Sequence, residues 1–166
     1  MNTEGALNLD RLRDEHVDFD SLASQLFLSM FANSPIGVYV VDDGVFSMTN
    51  LYFQAGTGYP HGELIGKEPL FLVVHGDKEK VRRDATAMLR GRRKAPYKFR
   101  IRTRSGDIRW IVGGIGFFYY GGNRAAIGYY MDVTEEERLK TALRDCDRQR
   151  RGLAAQLGFP SSKTNS

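Results

Sequence analysis

YKFRIRTRSGDIRWIVGGIGFFYYGGNRAAIGYYMDVT, residues 97–134, decides how this chain folds. Three apolar-rich segments, Tyr97 to Arg104, Asp107 to Tyr120 and Ala125 to Thr134, are separated by the turn signals Ser105-Gly106-Asp107 and Gly121-Gly122-Asn123. Such a pattern predicts three strands joined by hairpins. In the first segment Phe99 and Ile101 alternate with Arg100, Arg102 and Arg104, a period of two that buries one face and solvates the other. The second and third carry apolar residues on both parities, Trp110, Ile111, Val112 and Ile115, then Ile127, Tyr129, Tyr130 and Met131. Strands of that kind need cover on both faces.

Upstream, Ile36 to Asp42 and Val45 to Thr49 are β-branched and aromatic, and Asp43-Gly44 between them is a two-residue hairpin signal. From Asn50 to Gly66 five breakers, Gly56, Gly58, Pro60, Gly62 and Gly66, allow only short helices, which must pack on a sheet to persist. Asp77 to Leu89 predicts a longer helix, with Val81, Ala85, Met88 and Leu89 on one side and Gly91 as its stop. Before the sheet, Ser21 can cap a helix whose Leu22, Leu26, Met30 and Phe31 form one stripe, ended by Asn33-Ser34-Pro35.

After it, Thr134 and Glu137 have capping-box spacing, with Glu135 and Glu136 in the first turn of the helix they start. Within that helix Leu139, Leu143, Cys146, Arg150, Leu153 and Leu157 recur at heptad spacing, broken in character only at Arg150. The expected layout is an acidic arm over residues 1–20, an amphipathic helix over 21–34, a domain over 35–134, an exit helix over 135–157 and a disordered tail over 158–166.

Composition narrows the function. The 166 residues, 42% of them hydrophobic, suffice for one ordinary core. No run approaches the roughly 18 apolar residues of a membrane span, and the N-terminus lacks a signal-peptide pattern, so a cytoplasmic protein is expected. Cys146 is the single cysteine, which excludes an internal disulfide and multi-cysteine metal sites. His16, His61 and His75 have no metal-ligand spacing, and no catalytic motif appears, so neither a metal centre nor an enzyme is expected.

The net charge of +4 is uneven: Lys78 to Arg109 is rich in Lys and Arg, whereas the first 35 residues are acidic. A nucleic-acid surface over Arg90 to Lys94 and Arg144 to Arg151 is the minor reading, because no aromatic side chains are interleaved around Arg90 to Lys94.

The order of elements, and several local motifs, resemble the PAS domain. Phe31-Ala32-Asn33-Ser34-Pro35-Ile36-Gly37 looks like its entry to the first strand, and Asn50, Thr57-Gly58-Tyr59 and Glu63-Leu64-Ile65-Gly66-Lys67 like its helical crossing. Arg100 to Gly106 with Trp110 looks like the central hairpin, and Asp132-Val133-Thr134 like the closing motif before a signalling helix. The resemblance implies an α+β fold: a five-stranded antiparallel sheet with short helices on one face, around a small pocket, and flanking N- and C-terminal helices.

Parity within that fold places Tyr39, Val41, Phe53, Phe99, Ile101, Ile111 and Tyr130 around the pocket. It also places the helix stripe of Leu22, Leu26, Met30 and Phe31 over Trp110, Val112 and Tyr129, in the same subunit or in the partner of a homodimer. Asp132, Thr134 and Arg109 are the expected signal-coupling residues, acting on an output domain or partner signalling protein.

A small-molecule ligand and a ligand-free protein interaction domain both stay open. The family's flavin photosensors carry a reactive cysteine where this chain has Pro69, so a cysteinyl-flavin adduct is excluded and only noncovalent flavin is left. Haem would need an axial ligand such as His75, which reads better as the start of the following helix. No cofactor is the favoured expectation.

Overall fold

The computed structural model describes residues 19–120 and 123–157, with side chains over 22–119 and 124–157. The tail, the turn Gly121-Gly122 and the acidic arm up to residue 18 lie outside them. Met1–Pro35 and Ile36–Ser166 form two units. The first contains α1 (Phe19–Asn33), whose Leu26 and Met30 are exposed and whose Phe27 and Phe31 rings stand 5.6 Å apart.

In the second unit the chain first makes the hairpin β1 (Gly37–Asp42) and β2 (Val45–Thr49). Asp43 and Gly44 both take positive φ, 47° and 80°, the mirror-image turn that follows the twist of paired strands. The crossing then runs through α2 (Leu51–Thr57), α3 (His61–Leu64) and two single 3-10 turns, Pro69–Phe71 and His75–Asp77, into α4 (Lys78–Leu89).

Asn50 starts α2: its side chain accepts the Phe53 amide at 2.8 Å and the Val38 amide at 3.0 Å, so one residue both caps a helix and pins it to β1. Gly91, with φ 68°, ends the turn after α4 and gives its amide to the Met88 carbonyl.

β3 (Tyr97–Arg102), β4 (Ile108–Tyr120) and β5 (Asn123–Asp132) complete an antiparallel sheet of order β2-β1-β5-β4-β3, and α5 (Thr134–Gln156) leaves from β5. The central position of β5 and the length of β4 account for the apolar residues on both parities. Phe46, Phe53, Leu64, Leu72, Ile101, Ile111 and Tyr130 form the core between the sheet and the crossing. A second cluster, Val73, Val81 and Tyr97, joins α4 to the start of β3.

Both outer strands are closed by the crossing. The Phe46 amide bonds the Lys67 carbonyl, while the Arg102 amide bonds the Leu72 carbonyl and the Arg100 carbonyl accepts from Val74. Thus the run of broken helices seals the sheet edges as well as covering a face.

Candidate functional site

Two places in the second unit could do more than fold: the interior between sheet and crossing, and the joint between β5 and α5. In the interior, Tyr39, Phe53, Phe99, Ile101, Ile111 and Tyr130 line one cavity together with Phe46, Thr57, Pro69 and residues of α4 and β3. Val41 does not line it. Val41 shares the Tyr39 face of β1 but lies two residues nearer the Asp43-Gly44 turn, and it packs at the rim of the core instead.

The cavity measures about 50 Å³, against roughly 300–1,000 Å³ for a site enclosing a drug-sized ligand. Aromatic rings occupy the space. Phe53 stands 5.1 Å from both Tyr39 and Tyr130, ring centre to ring centre, and 5.4 Å from Phe46.

Two tyrosines sit against glycines opposite them in the ladder. Tyr130 faces Gly37 and Tyr39 faces Gly128, and a Cβ on either glycine would collide with the ring across from it. The Tyr130 hydroxyl also lies against Gly56 of α2 and donates to the Phe53 carbonyl at 3.3 Å. Burial pushes the hydroxyl pKa of both tyrosines upward, so each is a neutral donor at physiological pH.

Flavin does not fit these residues, because its ring would require Tyr39, Phe53 and Tyr130 to vacate the core. Haem does not fit either: His75 is exposed in a 3-10 turn, and no histidine lines the cavity. Among the described residues no group of three potential metal ligands exists.

At the joint the structure brings Asp132, Arg109 and Thr134 together. Arg109 donates to one Asp132 carboxylate oxygen at 2.8 Å, and the other accepts the Thr134 amide at 2.9 Å and hydroxyl at 2.5 Å. Burial works to raise the Asp132 pKa, but the Thr134 and Arg109 hydrogen bonds outweigh it and hold the carboxyl below the usual range.

The capping box expected from Thr134 and Glu137 does not form. The Thr134 hydroxyl oxygen accepts the Trp110 amide of β4 at 2.9 Å, and the Glu137 carboxylate turns to Lys98 of β3, 2.9 Å away. Asp132 accepts the first amide of α5 instead, and Val133, in the N-cap position, makes no side-chain bond to the helix. Arg102 of β3 takes no part in the joint and donates to the Gly106 carbonyl.

Lys98, Glu137 and the Trp110 amide are the parts of the joint that sequence reading missed; only the register Lys98 to Val112 and Arg100 to Trp110 could reveal them. Trp110 is half-buried on the outer face, with Lys98 and Arg100 each 5.4 Å from its ring. Val112 and Tyr129 share that face by parity. α5 itself contains no buried residue, and Leu139, Leu143, Leu153, Leu157 and Cys146 are exposed along it.

A five-stranded antiparallel sheet with a helical crossing on one face, its last strand hydrogen-bonded through a carboxylate to an exit helix, defines a class of α+β domain. Comparison with known proteins makes the class specific. A family profile described as "PAS fold" matches residues 51–127. The PAS domain of a protein from Colwellia psychrerythraea is 22% identical with a TM-score of 0.62, over 68% of this chain and 98% of that one.

A sensory box histidine kinase/response regulator from Burkholderia thailandensis is 26% identical with a TM-score of 0.56, over 77% of this chain and 97% of that one. The Rhodobacter sphaeroides LOV protein is 16% identical with a TM-score of 0.60, over 87% and 86%. A search of curated proteins returned no match. The PAS profile thus covers residues 51–127, and the solved structures share the fold of the whole sheet and crossing. No helix among the described residues is long and apolar enough to cross a membrane.

Proposed function

We propose that this chain is a cytoplasmic, non-catalytic sensory module that converts a change in its sheet or interior into movement of α5, and that it works as a homodimer with the α5 seam between subunits. The joint carries the reading. Asp132 is the last residue of β5 and holds both the first residue of α5 and Arg109 of the neighbouring strand, so tilting β5 moves the start of the helix. The exposed leucines of α5 supply an apolar stripe that a second copy can cover.

A ligand-free interaction domain is the second reading, favoured by the cavity of about 50 Å³. Both use the same joint, and they differ in where the input arrives.

Tyr130→Ala opens the interior and serves as an artificial input. Hydrogen exchange should then rise over residues 135–143, and Asp132→Ala should abolish that response while the sheet amides keep their protection. Exchange in α5 that ignores the state of residue 130 would refute the coupling. A native mass spectrum of the unmodified chain tests the rest: twice the chain mass supports the dimer, and additional bound mass separates the ligand-binding reading from the ligand-free one.

A further inference from the structure

β4 is longer than the strand beside it. β3 pairs with it from Ile108 to Gly113 only, whereas β5 follows it to Tyr120. From Gly114 onward one side of β4 therefore has no strand partner among the described residues. Alternation tells which groups face that side. The Trp110 amide points toward β5 and Thr134, and the Ile115 amide points away, to Met88 Sδ at 3.3 Å. Phe117 and Tyr119, of the same parity as Ile115, turn their amides and carbonyls outward as well.

This edge differs from the two that the crossing closes. From Trp110 to Tyr120 there is neither a charged residue nor a proline, the usual devices that stop another strand from adding on. Phe117 is 39% exposed and Tyr119 76%, so aromatic side chains as well as backbone groups are on offer.

The surroundings are cationic. The Arg124 guanidinium lies over the Phe117 ring, 3.9 Å from its centre. Met88, which touches the edge, is followed directly by the basic turn that ends α4, where Arg90, Arg92 and Lys94 are exposed and make no ion pair with a described residue. A second copy of this chain would bring the same cations to its own edge. An acidic strand would neutralise them.

We propose that the edge of β4 beyond Ile115, from Gly116 to Tyr120, is a docking site for an extended segment of a partner protein, added as a sixth strand, with acidic side chains beside its apolar ones. Backbone pairing would supply the affinity, and Arg124 with the α4 turn the preference for acid.

Fluorescence anisotropy with three labelled synthetic peptides tests it. One alternates valine and threonine between pairs of glutamates, one has lysines in place of the glutamates, and one is the acidic peptide with alternate amides methylated. The acidic peptide should bind, the lysine peptide about tenfold or more weaker, and the methylated one not at all.

Phe117→Pro should weaken acidic binding by a similar factor, since it removes an amide that β5 does not use. Hydrogen exchange on the unmodified chain, independent of any variant's folding, should show the Phe117 and Tyr119 amides slowed by the acidic peptide. Failure of that peptide to bind, equal binding of the acidic and lysine peptides, protection elsewhere, or protection that grows with protein concentration alone would each overturn the proposal, the last by showing a second copy on the edge.

Discussion

Lys98 Nζ stands 2.9 Å from the Glu137 carboxylate, which fastens the outermost strand of the meander to the first turn of α5. With Asp132 on β5 and the Trp110 amide of β4 bonded to Thr134, the exit helix is held by three successive strands of the sheet, β5, β4 and β3. The Lys98 hydrogen bond holds the Glu137 pKa below its usual value, against a small opposing desolvation. Glu137→Gln should therefore speed amide exchange over residues 137–143 without altering the sheet. In about 1 M salt, where screening acts within about 3 Å, the native chain should approach the variant. Equal exchange in the two at low salt would show that the contact holds nothing.

The tyrosine and glycine pairs predict a selective rescue. A Cβ at Gly56 would strike the Tyr130 hydroxyl first, with ring carbon Cζ 3.0 Å away, whereas at Gly37 it would strike the ring carbons Cε1 and Cδ1. Each glycine-to-alanine change should cost about 1–3 kcal/mol by overpacking. Tyr130→Phe, which removes only the oxygen, should recover much of the loss for Gly56→Ala and little for Gly37→Ala. Urea denaturation of the native chain, the three single variants and the two double variants measures both couplings, and equal rescue at the two positions would contradict the packing described.

Those pairs also show how far the sequence alone could reach. The meander, the Asp43-Gly44 turn and the breaker-rich crossing were legible because each is written in adjacent residues: a turn dipeptide, a period of two, a glycine every few positions. Tyr130 against Gly37, and Lys98 against Glu137, depend on which strands lie side by side, and residues far apart in the chain meet only once the register is fixed.

The Thr134 to Glu137 spacing misled for the same reason. A local cap lost to a strand amide that no local pattern contains. Six of the seven residues that parity within the family fold placed together do line the interior cavity, whereas Val41, on the same face, lies too near the end of β1 to reach it, because parity fixes a face and not a distance along the strand.

The exposed seam on α5 makes a third expectation concrete. Leu139 and Leu143 are 62% and 66% exposed, and a partner helix would bury them together. Leu143→Glu should lower the dimer fraction in sedimentation while leaving the melting of the sheet unchanged. A chain that sediments as a monomer before the substitution would leave the seam without that role.

Acid should loosen the joint, and the sign follows from the direction of the shift. The Asp132 pKa is depressed by its partners Thr134 and Arg109, which outweigh the burial that opposes them, so the carboxylate stabilises the folded state fully above the unfolded carboxyl value of about 3.9. That contribution is lost as pH falls through the lower folded value. Asp77, depressed by its hydrogen bonds from Arg100, behaves alike and seals the edge of β3. Asp132→Asn keeps an oxygen for the Thr134 amide but loses the ion pair with Arg109. It should be less stable than the native chain at neutral pH, and the difference should close as the pH falls below the unfolded carboxyl value and through the lower folded one. Urea midpoints across this range decide the matter: a difference that persists unchanged into acid would mean that Asp132 acts by shape alone, with its charge idle.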